Sequence, residues 1–130
     1  MSEIADFLRA RYAEGRAIAE GAMPGKWKVV PEGDAVVTAD NEKVVVSARR
    51  DDSQGACDIN HIYMWSPCSV LVNLDVKLAL VDLAERTLAS AEGDSEVDHY
   101  GALSAAEETL CLLARPFAGH PDHKGEEWAP

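Results

Sequence analysis

The stretch that most limits how this chain can fold begins at Ser66-Pro67 and runs without a helix breaker to Gly93. Serine as a cap followed by proline in the first turn marks a helix start, because the amide that proline lacks is one the first turn leaves unpaired anyway. About 26 residues at ~1.5 Å each predict a helix on the order of 39 Å, long for a globular chain. Its apolar residues fall into two stripes. Val70, Leu71, Leu74, Leu78, Val81 and Leu88 form one, and Val72, Val76, Leu80 and Leu83 form the other. Asp75, Asp82 and Arg86 separate them on one side, Asn73 and Lys77 on the other. Such a helix needs cover on two faces. One expectation is a central helix, Pro67 to Glu92, sandwiched between a sheet and the remaining helices, in which case Leu80→Asp would unfold the chain. The alternative is that the second stripe meets another protein, or a second copy in a homodimer through Val72, Val76, Leu80 and Leu83.

The rest of the chain supplies that cover. From Ser2, apolar residues Ile4, Phe7, Leu8, Tyr12, Gly15, Ile18, Ala19 and Ala22 recur at helical spacing until Pro24-Gly25 stops them. Short β-branched runs follow at Trp27 to Val30, Ala35 to Thr38 and Lys43 to Ser47, separated by PEGD and ADNE, which favour turns. Arg49 to Gly55 reads as a loop, and Ala56 to Met64 as a short helix with Ala56, Ile59 and Ile62 or Tyr63 turned inward. Ser104 and Glu107 match a capping box ahead of a helix from Ala105 to Arg115 that Pro116 ends. The expected fold is α+β in one domain, 1–130: N-terminal helix, three-stranded antiparallel meander, short helix, long central helix, C-terminal helix, and an extended tail, 116–130, anchored by Phe117 and Trp128.

Charge narrows the function classes. There are 23 acidic against 12 basic residues, a formal net charge of −11, which opposes phosphate backbones and anionic lipid surfaces. The longest run free of charge, Ile59 to Leu74, is too short and too polar to span a bilayer. Three unevenly spaced cysteines, Cys57, Cys68 and Cys111, and a charged helical opening in place of a signal region point to the cytoplasm. Acids concentrate in the second half, where Glu85, Glu92, Asp94, Glu96, Asp98, Glu107 and Glu108 are accompanied by Arg86 alone among bases. This corner is either a solvated face or a surface matched to a basic partner.

Chemistry-bearing motifs are sparse. The chain has no GxGxxG, GxxxxGK, HExxH or GxSxG pattern. His120-Pro121-Asp122-His123 gathers two imidazoles and a carboxylate, and Cys57 and His61 have a Cys-x3-His spacing. Pro121 prevents a regular helical face from presenting His120 and His123 together, and no CxxC pair completes a zinc site, so no metal and no cofactor is expected. The histidines then serve as solvated or locally hydrogen-bonding tail residues, with His61 bonded to a backbone group ahead of the long helix. Cys68, in the first turn of the long helix, is the candidate reactive thiol, against the plainer reading of a buried inert one. Trp27, Trp65 and Trp128 are too scattered for a base-stacking platform and suit clamps at core edges.

FLRARYAEGRA in the opening helix, PGKW before the meander, His61-Ile62 ahead of Ser66-Pro67, and the closing LCLLARPFAGHPDHKGEEWAP together resemble domain-of-unknown-function family 6221 over essentially the whole chain. The most specific part is the run Leu112, Leu113, Ala114, Pro116, Phe117, Ala118, His120, Pro121, Asp122, Glu126, Glu127 and Trp128. The resemblance implies a small accessory protein of actinobacterial phage or prophage type, with no activity to carry over.

The leading functional expectation is a non-enzymatic protein-binding module whose partner is a host or phage protein with a basic surface. One alternative is an acidic decoy that mimics DNA and occupies a host DNA-binding protein. The other is a small enzyme or metal-assisted site around His61, His120 and Asp122, which would require those side chains to converge in one pocket.

Overall fold

The structure, a computed structural model, describes residues 2–48, 53–90 and 101–130. In chain order it contains α1 (Ser2–Gly21), β1 (Trp27–Val29), β2 (Ala35–Thr38), β3 (Val44–Ser47), α2 (Ser53–Met64), α3 (Pro67–Ser90) and α4 (Ala102–Ala114). Two short 3-10 turns, Arg115–Phe117 and Gly125–Trp128, close the chain. The architecture is mixed α+β. It divides into two compact units, Met1–Glu14 with Leu74–Pro130, and Gly15–Asn73, so that α1 and α3 each run through both.

The Gly15–Asn73 unit is built on a meander of order β1-β2-β3, antiparallel throughout. Its first hairpin turns at Gly33, whose φ of 77° suits a residue without Cβ and whose amide donates to the Val30 carbonyl at 2.9 Å. The second turns at Asn41, also left-handed at φ 63°. There the Asp40 carboxylate accepts the Thr38 hydroxyl at 2.5 Å and the Glu42 amide at 2.9 Å. Those bonds, the Thr38 one foremost, hold Asp40 below the usual carboxylate range. Helix α2 packs on β1 and β2, and burial of Val36 on β2 and Ile59 on α2 is complete.

The other unit gathers the first turns of α1, most of α3, α4 and the tail. Ile4, Leu8, Val81 and Leu110 are fully buried, as the spacing of three and four residues along their helices requires. Phe7 has four ring neighbours from the tail: Phe117, His120, His123 and Trp128, with centroids 6.1, 5.6, 5.8 and 5.1 Å away. Three of these contacts are edge-to-face, the favoured arrangement for ring quadrupoles, and Trp128 is tilted.

Several expectations need correction. The second stripe of α3 is not covered: Val72, Val76, Leu80 and Leu83 are 65, 56, 38 and 53% exposed, whereas Leu74 and Val81 of the first are buried. Periodicity places residues on a face but does not say whether that face has a neighbour. The helix laid on the sheet is α2 rather than α3. Ser104 caps nothing, because α4 begins earlier, after Gly101 in left-handed geometry with no side-chain cap. Helix α2 likewise starts at Ser53, inside the stretch read as a loop, and turns Ile62 rather than Tyr63 inward. Ile18 is 76% and Trp65 56% exposed, so neither belongs to a core. The tail is not extended but wound into successive turns, which bring Phe117, His120, His123 and Trp128 all back to the one ring of Phe7.

Phe7→Ala should lower stability by about 3–5 kcal/mol, because it empties the position shared by four rings. Ile18→Ala, at an exposed position, should change it by less than about 0.5 kcal/mol. Urea unfolding followed by far-UV circular dichroism measures both.

Candidate functional site

The tail histidines sit close together but spend their nitrogens locally. The Asp122 amide donates to His120 Nδ1 at 3.1 Å, and the Gly125 amide donates to His123 Nδ1 at 2.9 Å. Each imidazole thus closes a turn two residues ahead of itself, as aspartate and asparagine commonly do. For His123 this puts the ring proton on Nε2, which is buried without a hydrogen-bond partner and whose ring lies edge-on to Phe7 and Trp128. His120 also receives the Arg11 guanidinium, whose Nη1 approaches both ring nitrogens. A neutral imidazole accepts at one nitrogen only, so Arg11 and the Asp122 amide compete for it. The Asp122 carboxylate is 3.9 Å from Nδ1.

Helix α1 supplies the basic partners that a local reading of the tail cannot find. Arg11 lies over the Phe7 ring at 5.3 Å and pairs with Glu14 at 2.9 Å. Glu14 follows from i, i+3 spacing on the helix, whereas His120 is 109 residues away in sequence. Next to it Tyr12 is 2% exposed, and its hydroxyl has no hydrogen-bond partner. Burial pushes that phenol up to about 12 from an ordinary value near 10. Lys124 of the tail pairs with Glu3 at 2.5 Å, which raises the lysine above its usual value.

His61, the third member of the proposed polar site, is exposed on α2 in the Gly15–Asn73 unit, whereas His120, Asp122 and His123 belong to the other. Among the described residues no group of three or more His, Cys, Asp or Glu side chains is arranged to hold a metal ion. A cleft of about 550 Å³ opens beside the tail between Arg115, Ala118, His123, Glu126 and Trp128. A second, of about 340 Å³, lies between β3 and α2 beside Val46, Ser47, Gly55, Asp58 and Ile59. Cys57 and Cys68 are exposed, and the Cys68 thiol reaches the Gly25 carbonyl at 3.7 Å. Cys111 is buried, which pushes its thiol up, with the charges of Glu107 and Glu108 adding to the effect.

Of the seven acids in the proposed corner, Glu92, Asp94, Glu96 and Asp98 lie outside the described residues. Glu107 and Glu108 are exposed on α4. Glu85 is met by Arg9 of α1, whose Nη2 also reaches Asp82 at 2.7 Å. Arg9 in turn lies 3.7 Å from Asp6, and its bonds to Glu85 and then Asp82 raise it above the ordinary arginine value. Among the described residues, the outer face of α3 exposes Val72, Val76, Leu80 and Leu83 together, with Asp75 and Asp82 along one edge.

Compared with family models, the chain matches over residues 1–130 one described as a family of unknown function (DUF6221). No curated protein and no solved structure matches it. No helix among the described residues is long and apolar enough to cross a membrane.

Two outcomes follow from the polar groups. Because the tail histidines are engaged by backbone amides, the purified protein should contain no stoichiometric zinc, and elemental analysis finding about one metal per chain, lost in His120→Ala, would contradict this. Tyr12 is an acid with a raised folded-state pKa, so its contribution to stability is complete below pH ~10 and is lost as the pH rises through ~12. Tyr12→Phe should remove that alkaline loss and cost little or nothing at neutral pH, since the hydroxyl it deletes is buried without a partner. Denaturant midpoints of both proteins between pH 7 and 12 check the pair of statements.

Proposed function

The chain belongs to DUF6221, a family that carries no activity over to it, and we propose that it is a non-enzymatic protein-binding module working through the outer face of α3. The observation that carries this reading is the exposure of Val72, Val76, Leu80 and Leu83 at 65, 56, 38 and 53% on one side of one helix. Isolated exposed apolar residues are ordinary, but a stripe repeated over three turns is a surface that another chain can dry. The face opposite it holds buried Leu74, Val81 and Ala84, so the outward stripe does not contribute to the core. A catalytic reading finds less support, because His120 and His123 are occupied as turn-forming acceptors. The setting this reading takes is that of a small accessory protein of phage or prophage type acting in an actinobacterial cytoplasm.

Exposure reverses what an internal stripe would do on mutation. Leu80→Asp should leave the circular dichroism spectrum intact and stability within about 1 kcal/mol, because the new carboxylate stays hydrated. The same substitution should abolish the complex that the unmodified chain forms in lysate of its producing cell, compared by parallel affinity capture. A variant that unfolds, or one that captures the same protein as before, would overturn the assignment of this face.

A further inference from the structure

We propose that the segment from His120 to Trp128 is a proton-sensitive strap, closed on Phe7 while the His123 imidazole is neutral and released when that ring takes up a proton. The device belongs to the tail and is independent of the α3 face.

His123 Nδ1 accepts the Gly125 amide at 2.9 Å. An imidazole that accepts at Nδ1 carries its one proton on Nε2, so a second proton can be added only at Nδ1, where it points at the Gly125 N–H. Donor then faces donor. The turn loses the bond that closes it, at a glycine whose φ of 58° reverses the chain just ahead of Trp128. The charge gained is poorly accommodated in the closed form. Nε2 is buried without a hydrogen-bond partner, and the ring packs edge-to-face with Phe7 and Trp128, at centroid distances of 5.8 and 5.2 Å. The charged side chains around it give no net help: Arg115 and Glu126 line the same cleft with opposite sign and are both exposed, and Lys124 is taken by Glu3.

His120 repeats the arrangement, its Nδ1 accepting the Asp122 amide at 3.1 Å. Its surroundings pull both ways. Arg11 of α1 holds a fixed positive charge 2.9 Å from Nδ1, while the Asp122 carboxylate at 3.9 Å, and Glu14 through its pairing with Arg11, favour a charged ring. His123 is therefore the group on which release turns. Both histidines and Trp128 converge on Phe7, so a strap opened at Gly125 uncovers two aromatic rings, Phe7 and Trp128, that are 8 and 5% exposed when it is closed. The closed form holds fewer protons than the released one, so acid favours release. Imidazole changes its charge between about pH 5 and 8, which places the switch within that range.

Proton–nitrogen correlation NMR of the full chain, taken from about pH 7.5 to about 5, follows the Gly125 amide and the Trp128 indole individually. The two should leave their closed-state positions together, with the ratio of released to closed strap rising about tenfold or more, while the Val36 amide in the β-sheet stays in place. His61, exposed on α2, reports in the same sample that an exposed imidazole has taken up its proton. His123→Asn keeps a side-chain oxygen that accepts an amide two residues on but gains no proton in this range, so it should hold the strap closed throughout. Gly125 and Trp128 signals that have not moved once His61 has titrated overturn the proposal, as does a release that persists unchanged in His123→Asn. Movement of Val36 along with them makes the event unfolding of the chain and overturns it too. Should His123→Asn fail to close at pH ~7.5, the unmodified chain decides: the Gly125 amide must move in step with titration of the His123 ring, and movement out of step overturns the proposal.

Discussion

Packing around the Phe7 ring is the contact on which the Leu74–Pro130 half of the chain depends. A phenyl ring on the second turn of α1 is met by Phe117, His120, His123 and Trp128, so residues far apart in sequence close on one side chain. Most hydrogen bonds of the tail are local, each histidine bonding an amide two residues on and the 3-10 turns bonding within themselves, while Arg11 to His120 and Lys124 to Glu3 reach α1. Local bonds shape a segment but do not fasten it to anything. Aromatic burial does, at a cost of two side-chain torsions per ring, which makes it an economical anchor for a stretch too short to form a regular helix.

Arg9 and Arg11 show how the electrostatics of an acidic chain are organised. Helical spacing alone places both on the polar face of α1, yet Arg9 meets Asp82 and Glu85, and Arg11 meets His120. With 12 bases for 23 acids, these two arginines are each shared among several acceptors. Arginine suits this duty better than lysine, because its planar fork presents several donors at once.

What could be read from the residues follows the physics of each signal. Pro24-Gly25 and Ser66-Pro67 act through the backbone of their own neighbours, so the end of α1 and the start of α3 were legible. The meander was legible because β-branched runs and turn residues alternate at short range. The start of α4 was not, since the Ser104–Glu107 spacing fits a capping box while Gly101 accomplishes the turn by its own conformation. Nor was the outward placement of Val76 and Leu80, because two apolar stripes on a helix look alike until something covers one of them. At the candidate site, His120 and His123 were identifiable as a cluster, but the role of Arg11 depended on a contact that no local pattern encodes.

The pairing of β2 with β3 shifts register between Val36 and Val37, with Val45 as the extra residue. A run of three valines, Val44 to Val46, on an edge strand would otherwise offer a flat row of unpaired amides and carbonyls to any other extended chain. The bulge bends that row and increases its twist, and the strand stops after four residues. A short, bulged edge strand is a poor template for a second extended chain, so the backbone edge at β3 discourages strand-to-strand association even though a helix of the same chain leaves an apolar face uncovered.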